Sequence, residues 1–301
     1  MQARDFGRLL TAMVTPFKED LSVDYDAAAE VASLLVDSGS EGLVVSGTTG
    51  ESPTLSSEEK LKLVEVVKAA VGDRARIMAG TCSNNTQGSI ELTEKAEAVG
   101  ADGILMVTPY YNRPPQEGLF QHFAAIARAT SLPCTIYNVP GRTACNVEAE
   151  TVLRCAEATP NIRGAKEASG QLGQITEVCR LTRDIEDFIV WSGNDADTLP
   201  VMAVGGYGII SVASHIVGRE MATMVKLFAA GQVDEAARIN QDISPVYQVL
   251  FPKTSVNPVP VKYALGLIMD QPVYYRQPLV PLDEKTAATV RKVMEGLGLL
   301  E

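Results

Sequence analysis

"LLTAMVTPF", residues 9–17, is the stretch on which the fold turns. An apolar, strand-like run over 9–15 ends in Thr15, Pro16 and Phe17, with no glycine behind it. A doubly wound nucleotide-binding sheet usually carries a glycine-rich phosphate turn at this point, after its first strand. Its absence favours the other fold built on a strand–helix rhythm, a (β/α)8 TIM barrel. Working outward, further strand-like runs fall at 42–46, 76–80, 103–107, 134–138, 162–166, 188–191 and 208–212. Helical patterns separate them at 24–38, 57–71, 86–99, 116–130, 147–158 and 172–183. Ser56 with Glu59 three residues on reads as a capping box, and Gly39, Gly72 and Gly100 read as helix ends. Beyond Gly231 the rhythm changes to three helical patterns, 233–250, 258–269 and 284–299, with no strand between them. The organisation expected is an α/β catalytic barrel over 1–230 and a C-terminal helical region over 231–301.

Composition narrows the function. The chain has 301 residues, 46% of them hydrophobic, and 26 basic against 37 acidic side chains give a net charge of −11. That balance argues against nucleic acid or an anionic membrane as partner. The N-terminus lacks the apolar core of a signal peptide, and no apolar run is long enough to span a bilayer. Five cysteines without a Cys-x-x-Cys pair read as reduced thiols of a cytoplasmic protein. The two histidines, His122 and His215, stand near no carboxylate or cysteine in sequence, which disfavours a histidine metal site or a serine triad. No metal and no cofactor is expected.

In a barrel of this kind, chemistry sits at the C-terminal ends of the strands. The unusual residues collect there: Thr48 and Thr49 after the second strand, Tyr110 and Tyr111 after the fourth, Tyr137 and Arg142 at the fifth, Lys166 at the sixth, Gly193 after the seventh, Ile210 in the eighth. Taken singly, each has an ordinary reading. A strand-end lysine snorkels to solvent, an arginine on a loop is a surface charge, and a tyrosine near a strand end is a core residue. Their convergence on one mouth outweighs those readings. An ammonium inside an apolar barrel is penalised by desolvation, and the neutral amine is a nucleophile suited to a Schiff base. Expelling water from the carbinolamine needs a proton shuttle, for which Tyr137, Thr49 and Tyr111 are the right residue types. The amides and hydroxyls of Thr48 and Thr49 suit a carboxylate. The residues therefore point to a metal-independent, lysine-dependent aldolase or lyase acting on an α-keto acid.

Six motifs, "GTTGES" (47–52), "TPYYNRP" (108–114), "YNVPGRT" (137–143), "GAKEASG" (164–170), "SGNDA" (192–196) and "GGYGIISV" (205–212), closely resemble those of the dihydrodipicolinate synthase family, within the pyruvate-dependent class I aldolases. "NPVPVKYAL" (257–265) extends the resemblance over essentially the whole chain. The resemblance implies condensation of pyruvate with L-aspartate-4-semialdehyde on the route to diaminopimelate and lysine. It implies Lys166 as the Schiff-base residue, Tyr137 as general acid/base, and Thr49 and Tyr111 as the rest of a proton relay. Thr48 and Thr49 match the pyruvate-carboxylate site, Arg142 the residue that holds the second substrate's carboxylate, and Gly193 and Ile210 positions whose carbonyls face the lysine. The residue matching Tyr111 reaches into a neighbouring subunit in this family, which implies a homo-oligomer, at least a dimer and usually a tetramer. Two alternatives stay open at this point. A sister aldolase such as N-acetylneuraminate lyase would share the chemistry, although Thr48-Thr49 and Arg142 depart from its pattern; a catalytically silent keto-acid binder would share the pocket.

Overall fold

The computed structural model describes residues 2–300. Eight parallel strands, β1 (Leu9–Ala12), β2 (Gly42–Val45), β3 (Arg76–Gly80), β4 (Gly103–Val107), β5 (Cys134–Asn138), β6 (Ile162–Glu167), β7 (Ile189–Ser192) and β8 (Gly208–Ser211), close in sequence order into a barrel. The last strand pairs with the first, Ile210 opposite Leu10. Around them lie α1 (Tyr25–Asp37), α2 (Ser57–Val71), α3 (Thr86–Ala98), α4 (Gln116–Ala127), the single turn α5 (Pro140–Thr143), α6 (Ala149–Ala158), α7 (Leu172–Thr182), α8 (Thr198–Ala203) and α9 (Ser214–Ala229). The expected fold class is the observed one.

The local signals act as read. Ser56 Oγ accepts from Glu59 N, and the Glu59 carboxylate accepts from Ser56 N, closing the box that opens α2. Strand β1 stops at Ala12, short of the apolar run to residue 15. The Val14 N–H donates to His215 Nε2 at 3.1 Å instead of continuing the ladder, so the chain leaves the sheet there.

Two apolar cores result. One lies between the strands and the helical ring; the other fills the barrel, with Leu10, Val44, Met78, Leu105, Trp191 and Ile210 pointing inward. Phe6, from the short helical turn Ala3–Phe6, plugs the bottom of the inner core. The top is left to polar residues.

After the barrel come α10 (Val233–Leu250), α11 (Val259–Met269) and α12 (Glu284–Gly296). The segment around α11 is pinned over the β2 end of the barrel by an ion pair buried on both sides: Lys262 Nζ meets Glu51 Oε1 at 2.6 Å. The ammonium also donates to Tyr274 O at 2.6 Å and faces the rings of Phe17 and Tyr275. Beside it Arg276 donates to both Glu59 oxygens, at 2.6 and 2.8 Å, and to Thr54 O. A buried pair gains little net stability against its desolvation, but removing one partner strands a charge. Lys262→Ala is therefore expected to cost about 3–5 kcal/mol in a denaturant titration, and Lys262→Met combined with Glu51→Gln much less. Equal losses in both proteins would show that the pair is not what holds this segment.

Candidate active site

Strand register decides which side chains meet. Tyr137 on β5 lies opposite Lys166 on β6, and Lys166 opposite Trp191 on β7. Residues level with one another on neighbouring strands point to the same face, while the next residue along points to the other. Tyr137 and Lys166 therefore both enter the barrel, and Lys166 Nζ sits 4.3 Å from the centre of the Tyr137 ring. Asn138 and Glu167, one residue on, point outward, where Asn138 Nδ2 donates to Glu167 Oε1 at 3.1 Å. Glu167 is thereby occupied away from the amine, as the alternation along β6 requires.

Lys166 is buried, 5% exposed, at the C-terminal end of the barrel. Desolvation pulls its pKa down to about 7; the carboxylate of Asp195 opposes this, and the Arg142 guanidinium adds to it. Asp195 does not pair directly with the amine. Its oxygens are held by Ser211 Oγ at 2.6 Å and by the Val212 and Ala213 amides. Burial pushes the Tyr137 phenol above its ordinary range, with Arg142 and a hydrogen bond to the Thr48 side chain acting the other way.

The cavity over Lys166 is lined by Thr48, Thr49, Tyr137, Arg142, Gly193 and Asn257 among others. It opens through Tyr137 and Arg142 into a chamber of about 350 Å³ that extends past Tyr110 to Lys60. Gly193 is required by crowding: a Cβ there would lie 2.7 Å from Ala168 Cβ and 3.2 Å from Lys166 Cε, pushing the nucleophile aside. Ile210, fully buried, belongs to the apolar floor beneath the site.

Thr48 and Thr49 both line the cavity with Tyr137, and the Thr48 side chain acts to lower the Tyr137 pKa. Thr49 Oγ1 accepts from Asn257 Nδ2 at 2.9 Å, which leaves its own proton free for a ligand. Tyr111 lines neither cavity of its own chain. Its side chain is 89% exposed, on a backbone with φ of +74° that a residue bearing a Cβ seldom adopts.

Sequence reasoning missed Asn257 and Asp195. Asn257 comes from the loop before α11, and its backbone carbonyl also accepts from Arg142 Nη2 at 3.4 Å. Asp195 follows the "SGN" of β7, a position the strand-end rule could have flagged. The histidines stay out of the site: His215 bridges Val14 N and Val212 O, and His122 bonds Thr86. All five cysteines are unpaired. Among the described residues no three His, Cys, Asp or Glu side chains gather as metal ligands, and no helix is long and apolar enough to cross a membrane.

Comparison with known proteins matches residues 5–297 to the model of the dihydrodipicolinate synthetase family. The chain belongs to that family. It is 51% identical over 293 residues to the 4-hydroxy-tetrahydrodipicolinate synthase of Dehalococcoides mccartyi, covering 97% of each chain. It is 52% identical over 295 residues to the enzyme of that name from Moorella thermoacetica, covering 98% of this chain and 99% of the other. Among solved structures, the dihydrodipicolinate synthase of Cyanidioschyzon merolae with lysine bound superposes with a TM-score of 0.94 at 44% identity, covering 98% and 99% of the two chains. That of Thermotoga maritima gives 0.95 at 39% identity, covering 98% and 100%.

Proposed function

We propose that this protein is a 4-hydroxy-tetrahydrodipicolinate synthase, a Schiff-base lyase that condenses pyruvate with L-aspartate-4-semialdehyde. The observation that carries the reading is the buried Lys166 amine, its pKa brought to about 7, level with the Tyr137 phenol at the catalytic mouth of the barrel. About half of such amines are neutral at pH 7, against about one in 3,000 for an ordinary lysine. The neutral amine adds to the C2 carbonyl of pyruvate. Tyr137, backed by Thr48, delivers the proton with which the carbinolamine hydroxyl leaves as water. Loss of a methyl proton turns the iminium into an enamine, whose carbon attacks the aldehyde of the second substrate. Thr49, its proton free and its oxygen held by Asn257, suits the pyruvate carboxylate. Arg142, at the wider chamber, suits the carboxylate of the semialdehyde. The names of the relatives and Arg142 together favour this reaction over sialic acid cleavage. The unpaired cysteines support a cytoplasmic setting.

Borohydride with pyruvate is expected to leave one reduced adduct, on Lys166, found by mass spectrometry. Lys166→Ala loses it together with turnover, and Tyr137→Phe lowers kcat by about 10²–10⁴-fold with folding intact. An adduct on another lysine, or consumption of N-acetylmannosamine in preference to aspartate semialdehyde, would overturn the reading.

Tyr111 extends the proposal to assembly as a homo-oligomer, most simply a dimer of dimers. An exposed tyrosine on a left-handed backbone, absent from its own cavity, is disposed to complete a neighbour's relay. Mixed Tyr111→Phe and Lys166→Ala chains then regain activity in hybrid oligomers. No recovery after verified subunit exchange would remove Tyr111 from the relay.

A further inference from the structure

Strand β6 does not keep one register with β5 along its length. Cys134 lies opposite Ile162, but Thr135 lies opposite Gly164, so the pairing skips Arg163. Counted on from Cys134 without that skip, Tyr137 would stand opposite Ala165, and Lys166 would fall level with the outward-facing Asn138. A slip of one residue turns a strand's side chains to the other face, so the nucleophile would leave the barrel. An extra residue beside an active site commonly re-aims a side chain in this way. Only four pairs, Thr135–Asn138 with Gly164–Glu167, follow the skip, so little of the ladder remains to hold the new register.

A cluster behind the catalytic pair supplies the missing hold. Asn138 and Glu167, the next residues along β5 and β6, are level with each other, and each is 1% exposed. Asn138 Nδ2 donates to Glu167 Oε1 at 3.1 Å and to Asn146 Oδ1 at 2.9 Å, while Asn138 Oδ1 accepts from Val147 N. Gln174, on α7, donates to the same Glu167 oxygen at 3.4 Å and exchanges hydrogen bonds with Asn146. The two strand ends are thus tied to α7 and to the segment before α6. The one acid of the cluster has neutral partners. Burial pushes the Glu167 carboxyl above its ordinary range, and hydrogen bonds from Ser169, Asn138 and Gln174 act the other way. A buried carboxylate without a cation is costly to keep for stability alone, and the proposed mechanism makes no use of it.

Resting on the proposed reaction, we infer that Glu167 is a positioning residue for proton transfer between Tyr137 and the Lys166 adduct, acting through Asn138. The clamp fixes the ends of β5 and β6 against each other one residue beyond the pair that reacts. Lys166 Nζ is thereby kept 4.3 Å from the centre of the Tyr137 ring. The Glu167 carbonyl also accepts from Gly193 N at 2.6 Å, which fixes a third strand end at the same cavity. Misplacing a reacting group by about 1 Å costs roughly a hundredfold in rate, whereas pyruvate binding at Thr48 and Thr49 does not depend on the clamp.

Glu167→Leu removes the carboxylate without stranding a donor, since Asn138 Nδ2 and Gln174 Nε2 both keep Asn146 Oδ1. In the full-length enzyme it is expected to lower kcat about 10–100-fold while changing KM for pyruvate less than about threefold. Glu167→Gln, which keeps an oxygen for the Asn138 amide, recovers most of that loss. The deciding measurement is a double-mutant cycle with Tyr137→Phe. Once the phenol is gone no proton transfer is left to misalign, so Glu167→Leu costs less than about twofold in that background. Asn138→Ala, which leaves Gln174 on the carboxylate, gives the same pattern and decides the matter if the leucine variant does not fold. Equal losses with and without the phenol show a merely structural cluster and overturn the assignment, as does wild-type kcat in the variants that remove the clamp. Failure of wild type to form the reduced pyruvate adduct at Lys166 counts against the Schiff-base reaction itself, separately from Glu167.

Discussion

Burial of one lysine inside an apolar barrel is the constraint on which the rest of the site depends. Bringing the Lys166 amine from 10.5 to about 7 corresponds to an environment roughly 5 kcal/mol less favourable to the ammonium. Met78, Leu105, Trp191 and Ile210 beneath it exclude the water that would restore the charge. A single carboxylate in contact could undo the effect, and the surrounding acids are arranged accordingly. Glu167 is turned out of the barrel by strand alternation, and Asp195 is saturated by hydroxyl and amide donors. The polar groups left facing the amine are a phenol, hydroxyls, an amide and an arginine, which can move protons or hold carboxylates without pairing with the nucleophile.

The same logic explains why a barrel enzyme needs its last helices. The strand ends supply the nucleophile and the phenol, but they place no group to orient Thr49 or to anchor Arg142. The loop before α11 brings Asn257 to both. Its position is set by the buried Lys262–Glu51 pair, with Arg276 and Glu59 beside it. Glu51, inside the "GTTGES" motif, thus serves the site by fixing the loop that carries Thr48 and Thr49 rather than by touching a ligand. An ion pair suits this task because it is worth little unless its geometry is met, so it specifies one docking arrangement.

Much of this was legible from residues alone. Two periodicities gave the barrel, and the strand-end rule brought Lys166, Tyr137, Thr48, Thr49, Arg142 and Gly193 to one cavity. The division of labour between the threonines was not legible, because consecutive residues in a loop follow no fixed alternation. The partner of Thr49, Asn257, lies 208 positions away in the chain. Asp195 was missed because a buried acid that serves hydrogen bonds looks like a helix-start aspartate in sequence. The long reach of Lys262 to Glu51 leaves no local trace either, since each residue reads as an exposed charge until the tertiary fold removes both from water.

The central claim is the neutrality of Lys166, and the most direct measurement is its own titration. With lysine labelled at Cε, the carbon resonance assigned through Lys166→Ala can be followed by NMR from pH 5 to 11. A midpoint near pH 7, well below those of the other lysines, is the result this account predicts. A midpoint near 10.5 would mean that the ammonium persists inside the barrel at neutral pH, and it would contradict the account.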